Sequence, residues 1–270
     1  MRISYWVIGE KIRIGKRSRR LLVEVDGSVK EVAARKVYLL AIKGEGWITS
    51  EAAFLAHREG VHIVLVGDKP IWLEVRKPRY VDYLLNQYNP QRWAEIVEII
   101  WKVYTRRARK VLGVKPPSYD PLEERLLEKA EEFRAEIREK VGERLGCSEK
   151  WVLEYEGLAR GFLRAECIAM LHEAGLNPLL GLIEGDELYE EFSLEFECHL
   201  VWEPLISLEG SPLVRADLTS VRGMRAVLAH PKNRLDGYAR GGRTLREVMW
   251  RRAKSLASVL VNPSAKYEVM

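Results

Sequence analysis

The sequence predicts an α+β protein of two parts, a small β-rich N-terminal domain and a larger all-helical C-terminal domain. Three observations carry this. Residues 1–76 are short runs rich in β-branched and aromatic residues, punctuated by glycine. From residue 91 the apolar spacing becomes helical. Between them lies KPRYVDYLLNQYNP, residues 77–90, which reads as a linker. A chain of 270 residues is long enough for one large or two small cores.

In order, ISYWVIG, KIRIG, LLVEVDG and VYLLAIKG read as strands. ITSEAAFLAHREG reads as a helix that Thr49 or Ser50 caps and Gly60 stops. VHIVLVG and PIWLEVR return to strand. Residues 91–112 place Trp93, Ile96, Val97, Ile100, Trp101 and Tyr104 on one helical stripe, so both tryptophans read as core. After the proline-rich break KPPSYDP, residues 122–146 align Leu122, Leu126, Ala130, Phe133, Ile137, Val141 and Leu145. Residues 157–174 are apolar nearly all round, which predicts a buried helix ending at Gly175, with His172 as a core residue. Thr244 and Glu247 form a capping-box pattern, and Leu245, Val248, Met249, Leu256 and Leu260 make the stripe behind it.

No apolar run approaches the ~18 residues of a membrane helix, and the charged, alternating N-terminus does not read as a signal peptide. Cys147, Cys167 and Cys198 are widely spaced thiols without a CxxC pair, which argues for a reducing cytoplasm and against both disulfides and a zinc knuckle. Two glutamines and five asparagines among 31% charged residues hint at a thermophile.

The net charge is +5, with a pI near 9.0. Its distribution is uneven. Between Ala165 and Val214 there are eleven acids and no Lys or Arg, so that stretch carries −11 and the remainder +16. A basic body around one acidic segment suits a metal-dependent enzyme acting on phosphodiesters, with basic surface for phosphates and carboxylates for Mg²⁺ or Mn²⁺. The plainer reading makes the acids a solvated face.

Four blocks in order resemble the CRISPR-associated integrase of spacer acquisition, the DNA endonuclease subunit of the adaptation complex. They are VYLLAIKGEGWITSEAAFLAHREGVHIVLVGDKPIW, GLNPLLGLIEGD, SLEFECHLVWEPLI (193–206) and GGRTLREVMWRRAKSLASVLVNPSAKYEVM. The resemblance implies a metal-dependent endonuclease and strand transferase acting on double-stranded DNA, with Mg²⁺ or Mn²⁺ as cofactor. It implies a homodimer formed through the β-rich domain and a small CRISPR-associated partner protein. It makes residues 193–206 helical, although SLEFECHL also fits the period of a strand.

Carried over residue by residue, the family's metal-binding Glu, His and Asp fall on Glu131, Glu184 and Glu197. These three are the catalytic and metal-ligand candidates. Two are substitutions. The family's acid three residues after its Asp is Leu200 here, and the Arg or Lys of its F-R-P is Glu203. The alternative is a catalytically inactive member, a structural DNA-binding subunit. On a helical wheel Glu131 lies about 120° from its apolar stripe, a surface position. His199 would point away from Glu197 on a helix. Arg243, Arg246, Arg251, Arg252 and Lys254 occupy much of the last helix's remaining surface and are the candidate phosphate contacts.

Overall fold

The computed structural model describes residues 2–73, 93–183, 186–237, 242–262 and 264–267. Strands β1 (Ile3–Arg17), β2 (Arg20–Val25) and β3 (Ser28–Ala33) form an antiparallel meander. Its second turn is Asp26-Gly27, both at positive φ, the pairing that matches strand twist in a two-residue hairpin. Strand β4 (Val37–Ile48) runs parallel to β1, helix α1 (Ser50–Glu59) crosses over, and β5 (His62–Leu65) pairs parallel to β4. A short β6 (Ile71–Leu73) closes the edge antiparallel to β5, giving the order β3-β2-β1-β4-β5-β6. The lone helix in the strand run is thus the crossover that parallel neighbours require. Thr49 caps it by accepting from the Ala52 N–H, and Gly60 ends it in the left-handed conformation.

Both sheet faces are covered, which is why β4 is apolar without alternation. Val7, Ile14, Leu40, Ile42 and Ile63 pack under α1. Ile8, Leu39, Ala41 and Val64 face the helices. Gly44 sits at φ +129° where β4 passes β1; a Cβ there would lie 1.7 Å from the Gly9 carbonyl oxygen.

Helices α2 (Trp93–Leu112), α3 (Leu126–Leu145) and α4 (Glu149–Glu173) follow the predicted stripes. Trp101 is buried and Trp93 packs at the core's edge. Helix α3 starts four residues later than the stripe suggests. The Asp120 carboxylate accepts the Leu122 N–H and shapes a turn there, which leaves Leu122 exposed. Helix α4 extends further back than predicted, because Ser148 caps it by accepting from the Trp151 N–H.

Residues 193–206 are helical. Helix α5 (Leu188–Glu197) runs through a π-helical turn (Cys198–Trp202) into a last turn (Glu203–Ile206). Every residue of α5 is buried, between α2, α3 and α4. Helices α6 (Val221–Asp236) and α7 (Leu245–Val261) complete the bundle, and the capping box at Thr244 and Glu247 forms in both directions. Among the described residues no helix is long and apolar enough to cross a membrane. Residues 77–90, read as the linker, lie outside the described residues.

Candidate functional site

The acidic segment is not a solvated face. Glu166, Asp186, Glu190, Glu191, Glu195 and Glu197 are all buried. Burying a carboxylate is costly unless a partner compensates it. The segment has no Lys or Arg of its own, so other helices supply the partners. Arg134 of α3 pairs with Glu197 at 2.8 Å. Arg164 of α4 pairs with Glu190 at 2.7 Å. Arg252 of α7 lies 2.7 Å from Glu195, and Arg125 pairs with Asp186. Glu203 is held by Arg107 of α2 and Arg234 of α6.

Two acids use neutral or backbone donors instead. Glu166, in the middle of α4, accepts from Trp6 Nε1 at 2.8 Å and from the Tyr38 hydroxyl, which fastens the sheet to the bundle. Glu191 accepts the backbone N–H groups of Leu182 (2.7 Å) and Ile183 (3.0 Å), fixing the loop between α4 and α5. Burial nevertheless pushes the Glu191 carboxyl up to about 8. Burial raises Glu195 to about 7, against Arg252 and the Tyr267 hydroxyl.

The three candidate metal ligands fall as follows. Glu197 is fully buried. Its Oε1 accepts from Tyr104 (3.1 Å), Trp202 (3.0 Å) and Arg134 Nε (3.0 Å), and its Oε2 accepts from Arg134 Nε (3.0 Å) and Nη2 (2.8 Å). Burial alone would raise its carboxyl, but Arg134 and Arg160 outweigh burial and hold it down to about 2. Glu131 is half exposed and binds the same guanidinium, through Nη1 at 3.0 Å, with Arg138 at 2.9 Å on its other oxygen. Burial opposes ionisation there too, and Arg134 and Arg138 still hold the Glu131 carboxyl below its usual range. Glu184 lies outside the described residues.

Structure therefore brings Glu131 and Glu197 together, but around a buried arginine. Arg138 and Arg160 also bridge Glu156 at 2.9 and 3.2 Å, and Arg160 lies 3.8 Å from both Glu190 and Glu197. Among the described residues, four carboxylates (Glu131, Glu156, Glu190, Glu197) meet four guanidinium groups (Arg134, Arg138, Arg160, Arg164), so their formal charges balance. A divalent cation needs carboxylate oxygens at about 2.0–2.6 Å with lone pairs to spare. At Glu197 both oxygens are taken by donors, and a dication would add its charge beside fixed guanidinium charges. Glu131 and Glu197 in this arrangement do not fit Mg²⁺ or Mn²⁺.

Arg134, Arg138, Arg160 and Glu156 were not legible as a site in the sequence. The available signal was a contradiction. Helix α4 is apolar nearly all round yet carries Glu156, Arg160, Arg164 and Glu166, and charges on a buried helix must find one another.

The candidate phosphate contacts on α7 divide. Arg243, Arg251 and Lys254 are exposed. Arg246 and Arg252 are buried. Arg246 bonds Ser4 of β1 at 2.8 Å and Asp236 at 2.5 Å, and Arg252 lies over the Tyr267 ring beside Glu195. A helical wheel drawn for one apolar stripe misses a second buried face whose cations have partners elsewhere.

Three of the histidines have packed or paired surroundings. His172 is buried against His62 and Trp72. His62 Nε2 lies 3.3 Å from Glu173. His199 faces Glu203 rather than Glu197, and burial lowers it to about 4.

No protein-family model matches the chain, and no curated sequence matches it. Solved structures do. A Cas1 protein from Thermotoga maritima superposes with TM-score 0.78 at 11% identity, over 99% of this chain and all of that one. A casposase bound to integration product gives 0.73 at 13% identity, over 100% of this chain and 96% of that one. A chain of the Cas6-RT-Cas1–Cas2 complex gives 0.72 at 13% identity, over 100% of this chain and 36% of that one. The molecule thus has the sheet-and-bundle architecture shared by a casposase and CRISPR-associated proteins. Within that class its fold is the Cas1 fold, as the sequence resemblance implies.

Proposed function

We propose that this chain is a DNA-binding subunit of a spacer-acquisition complex that organises double-stranded DNA without metal-dependent phosphodiester chemistry of its own. One observation carries the reading. Arg134, itself 2% exposed, sits between the two carboxylates that the resemblance assigns to a metal, within a charge-balanced network. The fold supports the DNA partner, since a structural neighbour was solved on an integration product. Exposed Arg243, Arg251 and Lys254 would meet backbone phosphates. A homodimer formed through the sheet, a small CRISPR-associated partner and a cytoplasmic setting belong to the same proposal. The dense arginine–carboxylate pairing suits a thermophilic origin.

The second reading is an Mg²⁺- or Mn²⁺-dependent endonuclease and integrase. The shared fold and the sequence resemblance favour it. A strand-transfer and nicking assay with both metals, run beside a mobility shift, separates the two. The proposal expects bound DNA without product. Metal-dependent product that Glu184→Ala abolishes would overturn it in favour of the integrase.

A further inference from the structure

Glu131 on α3 and Glu197 on α5 lie 66 positions apart in the chain and share one side chain. Arg134 gives Nη1 to Glu131 Oε2 at 3.0 Å and Nη2 to Glu197 Oε2 at 2.8 Å. A guanidinium cannot be deprotonated in a protein, so this is a permanent buried cation. We propose that Arg134 is the resident cation of this site, standing where a divalent ion would bridge Glu131 and Glu197, so that its removal uncovers a binding site for a hard dication such as Mn²⁺. The inference deepens the non-catalytic reading given above.

Donor counting supports it. Both hydrogen-bond donors to Glu197 Oε2 come from Arg134. Without them the nearest cationic atom to that oxygen among the described residues is Arg160 Nε at 3.8 Å, too long for a hydrogen bond. Tyr104 and Trp202 keep Oε1 occupied and hold the carboxylate in place. Glu131 retains Arg138 on Oε1, and the nearest remaining cationic atom among the described residues to its Oε2 is Arg160 Nη1 at 3.7 Å, too long for a hydrogen bond, which leaves that oxygen turned toward the vacated volume. The network would then carry one excess negative charge around a space lined by oriented carboxylate oxygens, the chemistry that Mn²⁺ and Mg²⁺ accept. With Arg134 present the same carboxylates are already neutralised, and a dication would bring uncompensated positive charge into a buried place.

The test compares three full-length proteins, wild type, Arg134→Ala and Arg134→Ala/Glu197→Gln, each titrated with MnCl₂. Bound ion is read by Mn²⁺ electron paramagnetic resonance and melting temperature by fluorimetry. Expected are no bound ion in wild type, bound ion with a rise of roughly 5–10 °C at a hundredfold excess over the dissociation constant in Arg134→Ala, and no response in the double variant. If Arg134→Ala does not fold, Arg134→Leu fills more of the vacated volume without a donor to Glu197 and carries the same comparison. Equal Mn²⁺ binding by wild type, no binding by either single variant, or a response that survives Glu197→Gln would each overturn the proposal. Nicking by the wild-type chain would refute the non-catalytic reading, while the ion count still decides the role of Arg134.

Discussion

Replacing Glu197 with glutamine tests the buried network directly, because the two readings of that residue predict opposite signs. In the structure Glu197 is an ion-pair partner whose carboxyl is held down to about 2, from an ordinary value of 4.5. A shift of about 2.5 units corresponds to about 3 kcal/mol of preference for the charged form in the folded state. Breaking a buried pair by removing one partner costs about 3–5 kcal/mol, an independent figure in the same range. Glu197→Gln should therefore destabilise the protein by about 3 kcal/mol at pH 7, and lower its melting temperature by about 6–12 °C.

The pH dependence follows from the sign of the shift. A depressed carboxyl contributes stability above its unfolded value and loses it as pH falls through the folded value. The gap between wild type and Glu197→Gln should be full at pH 7 and shrink to under half by pH 3. Urea unfolding of both proteins at the two pH values measures it. Were Glu197 instead one of several carboxylates facing an empty metal site, like-charge repulsion would be relieved by the amide, and the variant would be more stable than wild type. A midpoint that stays put or rises at pH 7, or a gap independent of pH, refutes the ion-pair account.

The exposed and buried cations of α7 should separate by assay. Alanine at Arg243, Arg251 or Lys254 should weaken DNA binding and reduce the salt slope by about one each, with the melting temperature unchanged. Alanine at Arg252 should lower the melting temperature, with a loss of about 1–3 kcal/mol in urea unfolding, because buried Glu195 loses its cation and must take up a proton instead. Glu191 and Glu195 should give the protein a downward stability slope between about pH 4.5 and pH 8. Their carboxyls are raised to about 8 and about 7, so the stability they contribute is complete below about 4.5 and is lost as pH rises through those values. Melting temperatures from pH 5 to pH 9 measure this, and Glu191→Gln should flatten the slope; an unchanged slope would contradict burial as the cause.

The sequence by itself determined most of the elements and their order, although ISYWVIG and KIRIG form the single strand β1, and β3 and α6 were not read from it. The caps at Thr49, Gly60 and Thr244 act within one helical turn, and the stripes of α2 and α3 repeat within a few residues. Such signals are local, so they survive without knowledge of the fold. Leu122 was misplaced because periodicity does not register a nearby side chain capturing a backbone N–H, as Asp120 does. For residues 193–206 two periods fit equally, and the resemblance made the choice. What only tertiary structure decided is where the acids point. Glu197 meets Arg134 from 63 positions away, and Glu195 meets Arg252 from 57. A long acidic stretch without a single Lys or Arg looks unbalanced along the chain. It is balanced in space because α5 lies at the centre of the bundle, and each buried carboxylate there draws its donor from whichever helix, loop or strand packs against it. Ion pairing is set by that packing, which no one-dimensional pattern contains.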